Sequence, residues 1–146
     1  MNHTFAYQFR FRLFALLIVP TLALLAGCGE TLVKVNPVSG KVDYQGKPPA
    51  GAQIVLHALG DNKIKDVPSG KVQEDGTFKI STYQPDDGAP AGEYAATIQW
   101  QKMVTDAGGS GPGPNVLPAT YAKPETSPIK ITVQDGPNEV PPIVVK

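Results

Sequence analysis

From Val38 onward the chain alternates apolar and polar residues in short runs, each closed by Gly, Pro, Asp or Asn. A period of two marks a strand with one buried face. Val38 to Tyr44 places Val38, Val42 and Tyr44 at alternating positions, with Gly40 among them as a bulge or a point of close approach. Ala52 to Leu59 sends Ile54, Leu56 and Ala58 one way and Gln53, Val55 and His57 the other. Lys71 to Glu74 and Thr77 to Thr82 flank Asp75-Gly76, a hairpin turn signal, with Phe78 and Ile80 sharing one side. The plainest alternation is Tyr94, Ala96, Ile98 and Trp100 within Gly92 to Gln101. Ile129 to Val133 and Val140 to Lys146 complete the series, the last starting irregularly at Pro141-Pro142.

This pattern gives about seven short strands and no helix, an all-β, antiparallel β-sandwich rather than a barrel. The expected core is Ile54, Leu56, Phe78, Ile80, Tyr94, Ile98, Trp100, Ile131 and Val144. Gly46, Gly51, Gly76, Gly92 and Gly136 are expected at positive φ or crowded backbone positions. One stretch departs from the pattern. Residues 102–127 include Gly108-Gly-Ser-Gly-Pro-Gly-Pro114, a composition expected not to sustain regular structure. Loops of that length are functional or mobile, and mobility is the favoured reading for the Gly/Pro part. Tyr121 is placed to dock the segment that follows, Leu117 to Pro124, onto the sandwich.

The first part of the chain follows another rule. Arg10 and Arg12 precede an apolar run from Leu13 to Ala26, the charged and apolar regions of a secretory signal. The run is shorter than the roughly 20 residues a membrane span needs, and Pro20 interrupts it. It ends in Leu25-Ala26-Gly27-Cys28, which resembles the lipobox of bacterial lipoprotein signal peptides. That resemblance implies cleavage before Cys28, recognition through Leu25, Ala26 and Gly27, and acylation of the cysteine sulfur and of the new amino terminus. Two or more acyl chains, at about 0.8 kcal/mol per buried CH₂, hold a protein on a bilayer where one does not. An uncleaved anchor or ordinary signal cleavage are the competing readings. The organisation expected is a signal peptide at 1–27, a lipidated tether at 28–36 and a sandwich domain at 37–146.

Composition sharpens that division. The chain has 146 residues and equal numbers, 13 each, of basic and acidic side chains. Both arginines lie before Cys28, and the remainder carries 11 lysines against 13 acids, a net charge of −2. A slightly acidic, arginine-free domain speaks against nucleic-acid recognition. The single cysteine excludes an intrachain disulfide and a Cys-based zinc site.

Several motifs carry a wider resemblance. Pro37 to Ala52 (PVSGKVDYQGKPPAGA) resembles the opening of carboxypeptidase-regulatory-like, or transthyretin-like, domains. Glu74-Asp-Gly-Thr-Phe78 is similar to their D-G-x-F turn, and Ala89-Pro-Ala-Gly-Glu-Tyr94 to their P-x-G-x-Y strand entry. With Leu117 to Asn138, the order of motifs is similar to small lipoproteins of planctomycete bacteria. The resemblance implies a transthyretin-like sandwich carried on the cell envelope by lipid, facing the periplasm or the surface. It does not specify an activity.

The residues themselves offer little for catalysis. After Cys28 the only histidine is His57, mid-strand, and no G-x-S-x-G or H-E-x-x-H occurs. The hydroxyisourate hydrolases of the transthyretin-like fold resemble one another in a His/Arg cluster and a terminal Tyr-Arg-Gly-Ser. This chain has neither. Asp86-Asp87-Gly88 and Asp61-Asn62 lack calcium-loop spacing and read as solvated turns. No catalytic residue, metal ligand or cofactor is therefore expected. Tyr44, Tyr83 and Tyr121, near turns, are the candidate ligand contacts. The function expected is a non-enzymatic structural or protein-interaction module on a membrane, its partner an envelope protein. The alternative is a glycan- or peptide-binding module using loops at one end of the sandwich.

Overall fold

The computed structural model describes residues 32–60, 65–106 and 108–146. Val33–Lys146 form one compact unit. Leu25, Ala26, Gly27 and Cys28, with the whole expected signal peptide, lie outside the described residues.

The strands in chain order are β1 (Val35–Asn36), β2 (Val38–Tyr44), β3 (Gln53–Ala58), β4 (Ser69–Lys71), β5 (Thr77–Lys79), β6 (Ala89–Pro90), β7 (Gly92–Gln99), β8 (Gln101–Asp106), β9 (Gly109–Asn115), β10 (Lys130–Val133), β11 (Asn138–Glu139) and β12 (Ile143–Val145). A single 3₁₀ turn, Ala119–Ala122, is the one helical element among the described residues. The fold is an all-β sandwich. One sheet runs β10-β7-β3-β4, antiparallel throughout. In the other, β2 is central, flanked by antiparallel β5 on one side and by β11 and β12 on the other. β11 and β12 pair with β2 in parallel, Asn138 opposite Val38 and Val145 opposite Tyr44. They act as one edge strand broken at Pro141-Pro142. The turn before β11 carries the chain from one sheet to the other, so it enters beside β2 in the same direction.

The core fills the space between the sheets. Ile54, Leu56, Phe78, Ile80, Tyr94, Ile98 and Ile131 are all buried, as the alternation predicts, joined by Val38, Val42, Leu117 and Val145. Burying each large side chain contributes about 1.5–3 kcal/mol. The close approach expected at Gly40 is real. It lies directly opposite Phe78, whose Cζ would be 2.7 Å from an added Cβ. The five glycines expected at turns all have positive φ.

Four expectations need correction. Val144 is 56 % exposed, while Ile143 and Val145 point inward. The break at Pro141-Pro142 resets the parity of the last strand, and a shift of one residue exchanges faces. Trp100 is not a core residue proper. It sits at the junction of β7 and β8, half-buried against the edge of the core. The Asp75-Gly76 hairpin does form, the Gln73 N–H donating to the Thr77 carbonyl at 2.7 Å and Ser69 bridging Ser81. Its first strand, however, is Ser69–Lys71 rather than Lys71 to Glu74, and its arms β4 and β5 belong to different sheets. Gly70 allows the strands to cross closely, since a Cβ there would collide with the Lys79 carbonyl.

The largest correction concerns 102–127. Its first half is not irregular: β8 and β9 form an antiparallel hairpin, Val104 opposite Gly111 and Asp106 opposite Gly109. A two-stranded hairpin leaves each strand one free edge, so proline needs no ladder partner there. Gly113 allows the Lys102 carbonyl to approach, because a Cβ would lie 2.9 Å from that oxygen. The second half docks as expected, with Leu117 buried and Tyr121 packed on the core.

Candidate functional site

Register defines two ends of the sandwich. β7 begins at Gly92 opposite Val133 and ends at Gln99 opposite Gln53, about 25 Å further on. At the first end lie β1 and β6, with Val35 opposite Pro90, and the Lys34–Asp135 ion pair at 2.7 Å. At the second end lie Tyr44, Ala50, Trp100 and the β8–β9 hairpin.

The three candidate tyrosines do not share a cleft. Tyr44 closes β2 at the hairpin end, its ring 6.4 Å from that of Trp100 at 81°. Tyr83 follows β5 at the opposite end, about 20 Å away along β2. Tyr121 lies on the seam between β10 and β12, where its hydroxyl accepts the Lys146 N–H at 3.4 Å. It lines an open groove of about 460 Å³ with Ile129, Lys130, Val140, Ile143 and Val144. All three tyrosines are half-buried.

Residues absent from the sequence-based candidates build the hairpin end. Trp100 donates its indole N–H to the Ala50 carbonyl at 2.9 Å, and the Lys102 ammonium lies 4.5 Å from its ring centroid. With Tyr44 against it as well, the Trp100 ring is already engaged by protein. Asn115 clamps the hairpin base: its Oδ1 accepts N–H groups from Trp100 at 2.9 Å and Leu117 at 3.2 Å. Beyond this clamp every residue of β8 is exposed, Met103 at 69 %. The apolar members Met103 and Val104 were readable as apolar, but their exposure depended on recognising the hairpin.

Asp86-Asp87 forms a turn with divided labour. Asp86 faces solvent and pairs with Lys79 at 3.1 Å. Asp87 turns inward and accepts backbone N–H groups from Thr82, Tyr83 and Gln84 at 2.7, 3.0 and 2.8 Å. Partial burial pushes the Asp87 carboxyl upward, but the three N–H donors outweigh it and hold the group below its ordinary value. Asp75 is also lowered, by the Thr77 hydroxyl first and the Thr77 N–H second. Both carboxylates serve turns. His57 shares a 3.0 Å hydrogen bond with the Thr97 hydroxyl. Among the described residues no three His, Cys, Asp or Glu side chains are grouped to hold a metal ion.

No protein-family model matches the chain, and neither does any curated protein. Among solved structures it is similar to a DUF3823 family protein from Parabacteroides merdae, at 20 % identity and a TM-score of 0.44, over 79 % of this chain and 47 % of that one. It is also similar to part of a 9R-lipoxygenase from Cyanothece, at 15 % identity and a TM-score of 0.41, over 77 % of this chain and 16 % of that one. The chain thus spans less than half the length of either.

Proposed function

We propose that this protein is a non-enzymatic envelope lipoprotein of the transthyretin-like kind, anchored through acylated Cys28, whose sandwich serves as an interaction module. The observation that carries the reading is the run Leu25-Ala26-Gly27-Cys28 at the end of the apolar segment, only seven positions before β1 at Val35. A cysteine joined to a folded unit by so short a tether suits a lipid attachment point. The module's working surface is the β8–β9 hairpin, where exposed Met103 and Val104 stand on a base fixed by Asn115 and Trp100. A partner protein of the envelope is the occupant this surface suits. The engaged Trp100 ring weighs against sugar stacking there.

Photo-crosslinking from position 104 in intact cells tests this function. A discrete adduct with one envelope protein, lost when the crosslinker is moved to Glu93 at the opposite end, is the expected result. Equal labelling from both positions would contradict it.

A further inference from the structure

The end of the sandwich opposite the hairpin exposes large apolar side chains from two separate parts of the chain. Val33 leads into β1, and Leu59 and Val67 stand on the connection between β3 and β4. Leu59 is 50 % exposed and Val67 56 %. Their position is fixed by the fold. The Leu59 N–H donates to the Glu93 carbonyl at 2.8 Å, at the start of β7, and Val67 precedes Pro68, whose carbonyl accepts the Leu56 N–H at 2.8 Å. The chain enters at this same end, where Lys34 pairs with Asp135.

We infer that this end docks on the phospholipid bilayer, with Leu59 and Val67 inserted at the interface and the β8–β9 hairpin directed away from the membrane. The inference rests on acylation of Cys28. Lys34 is six positions after Cys28, so a fully extended chain keeps this end within about 20 Å of the lipid attachment point. At that tether length the local concentration of membrane is high, and a weak contact suffices to set orientation. Isolated apolar side chains suit insertion into the headgroup boundary, which is roughly 5–10 Å deep for interfacial segments. Closeness to the lipid attachment point, rather than apolar area, selects the bilayer over a protein as the occupant of this end. The charged groups here include Lys34, Lys65, Asp66, Glu93 and Asp135, which are exposed and can remain among headgroups.

The test uses full-length acylated protein, purified from membranes and reconstituted into phosphatidylcholine vesicles with and without acyl-chain-brominated lipid. Trp100 is the only tryptophan in the chain and stands at the far end, so wild type supplies an internal reference. L59W and V67W each add one reporter at an exposed position, and V116W adds one beside the hairpin. L59W and V67W are expected to gain a blue-shifted emission that brominated lipid quenches, while wild type and V116W lose no emission. Vesicle-bound L59W and V67W whose added emission is unquenched would overturn the docking and leave the anchor intact. A blue shift without quenching would mean a protein covers these residues, and would overturn it equally. Wild type lacking acyl mass and failing to sediment with vesicles would remove the anchor, and the docking with it.

Discussion

Asp87→Asn is nearly isosteric and tests what the loop 80–88 owes to one carboxylate. In wild type the two Asp87 oxygens accept three backbone N–H groups, from Thr82, Tyr83 and Gln84. The loop is further tied by the Gly88 N–H to the Ile80 carbonyl and the Thr82 hydroxyl to the Gly88 carbonyl. Asparagine keeps one acceptor for Thr82 but turns a donor toward the other two N–H groups. Hydrogen bonds to a charged acceptor contribute about 1.5–3 kcal/mol each when buried, and helix-cap removals with similar geometry cost about 0.5–2 kcal/mol. Because Asp87 is half-exposed, solvent screens the charge. The expected loss is therefore about 2 kcal/mol, or a melting temperature lower by roughly 10 °C in a domain of this size.

The sign with pH follows from the direction of the shift. The folded-state carboxyl titrates below the ordinary value of 3.8, so its stabilisation is fully present above that value. It is lost as pH falls through the lower folded value. Thermal unfolding of the Val33–Lys146 unit, followed by circular dichroism across pH, should show the full wild-type advantage at neutral pH. That advantage should shrink only below about pH 4. Equal melting temperatures at neutral pH, or a gap unchanged in strong acid, would refute the assignment.

Three further substitutions test the packing. Gly40→Ala should cost about 1–3 kcal/mol in urea unfolding, because the new methyl overlaps the Phe78 ring and touches Val140. Tyr94→Phe should cost about 1–2 kcal/mol by the same assay, since it leaves the Pro90 carbonyl without the buried 2.8 Å hydroxyl donor. Val144→Lys should change stability by less than about 0.5 kcal/mol while Val145→Lys abolishes cooperative unfolding, a contrast that reverses if the last strand keeps the other parity.

Strand periodicity carried most of the fold. Ile54, Leu56, Tyr94 and Ile98 lie on uninterrupted alternating runs, and each is buried. Periodicity failed where proline reset the count, at Val144, and where a strand left the sandwich, at Trp100. The β8–β9 hairpin was hidden because Gly and Pro have low strand propensity, and its stabilising feature is local: Asn115 clamping the base and Gly113 permitting close approach. The parallel pairing of β12 with β2 joins distant parts of the chain, so no local pattern records it. For the candidate site, turn proximity located all three tyrosines on the surface side of the fold but could not say that Tyr83 stands at the other end from Tyr44. Likewise Asp86 and Asp87 are chemically identical in sequence; only the path of the turn makes one an ion-pair partner and the other a backbone cap.

The anchor is the central claim, and intact mass combined with membrane fractionation tests it most directly. Wild type and Cys28→Ser, expressed in a lipoprotein-processing host, are separated into membrane and soluble fractions, and their mature termini are weighed. Wild type should be found in membranes, beginning at Cys28 with the added mass of diacylglycerol and an N-acyl chain, and Cys28→Ser should carry neither modification. A soluble wild type without acyl mass, beginning anywhere other than Cys28, would contradict the account.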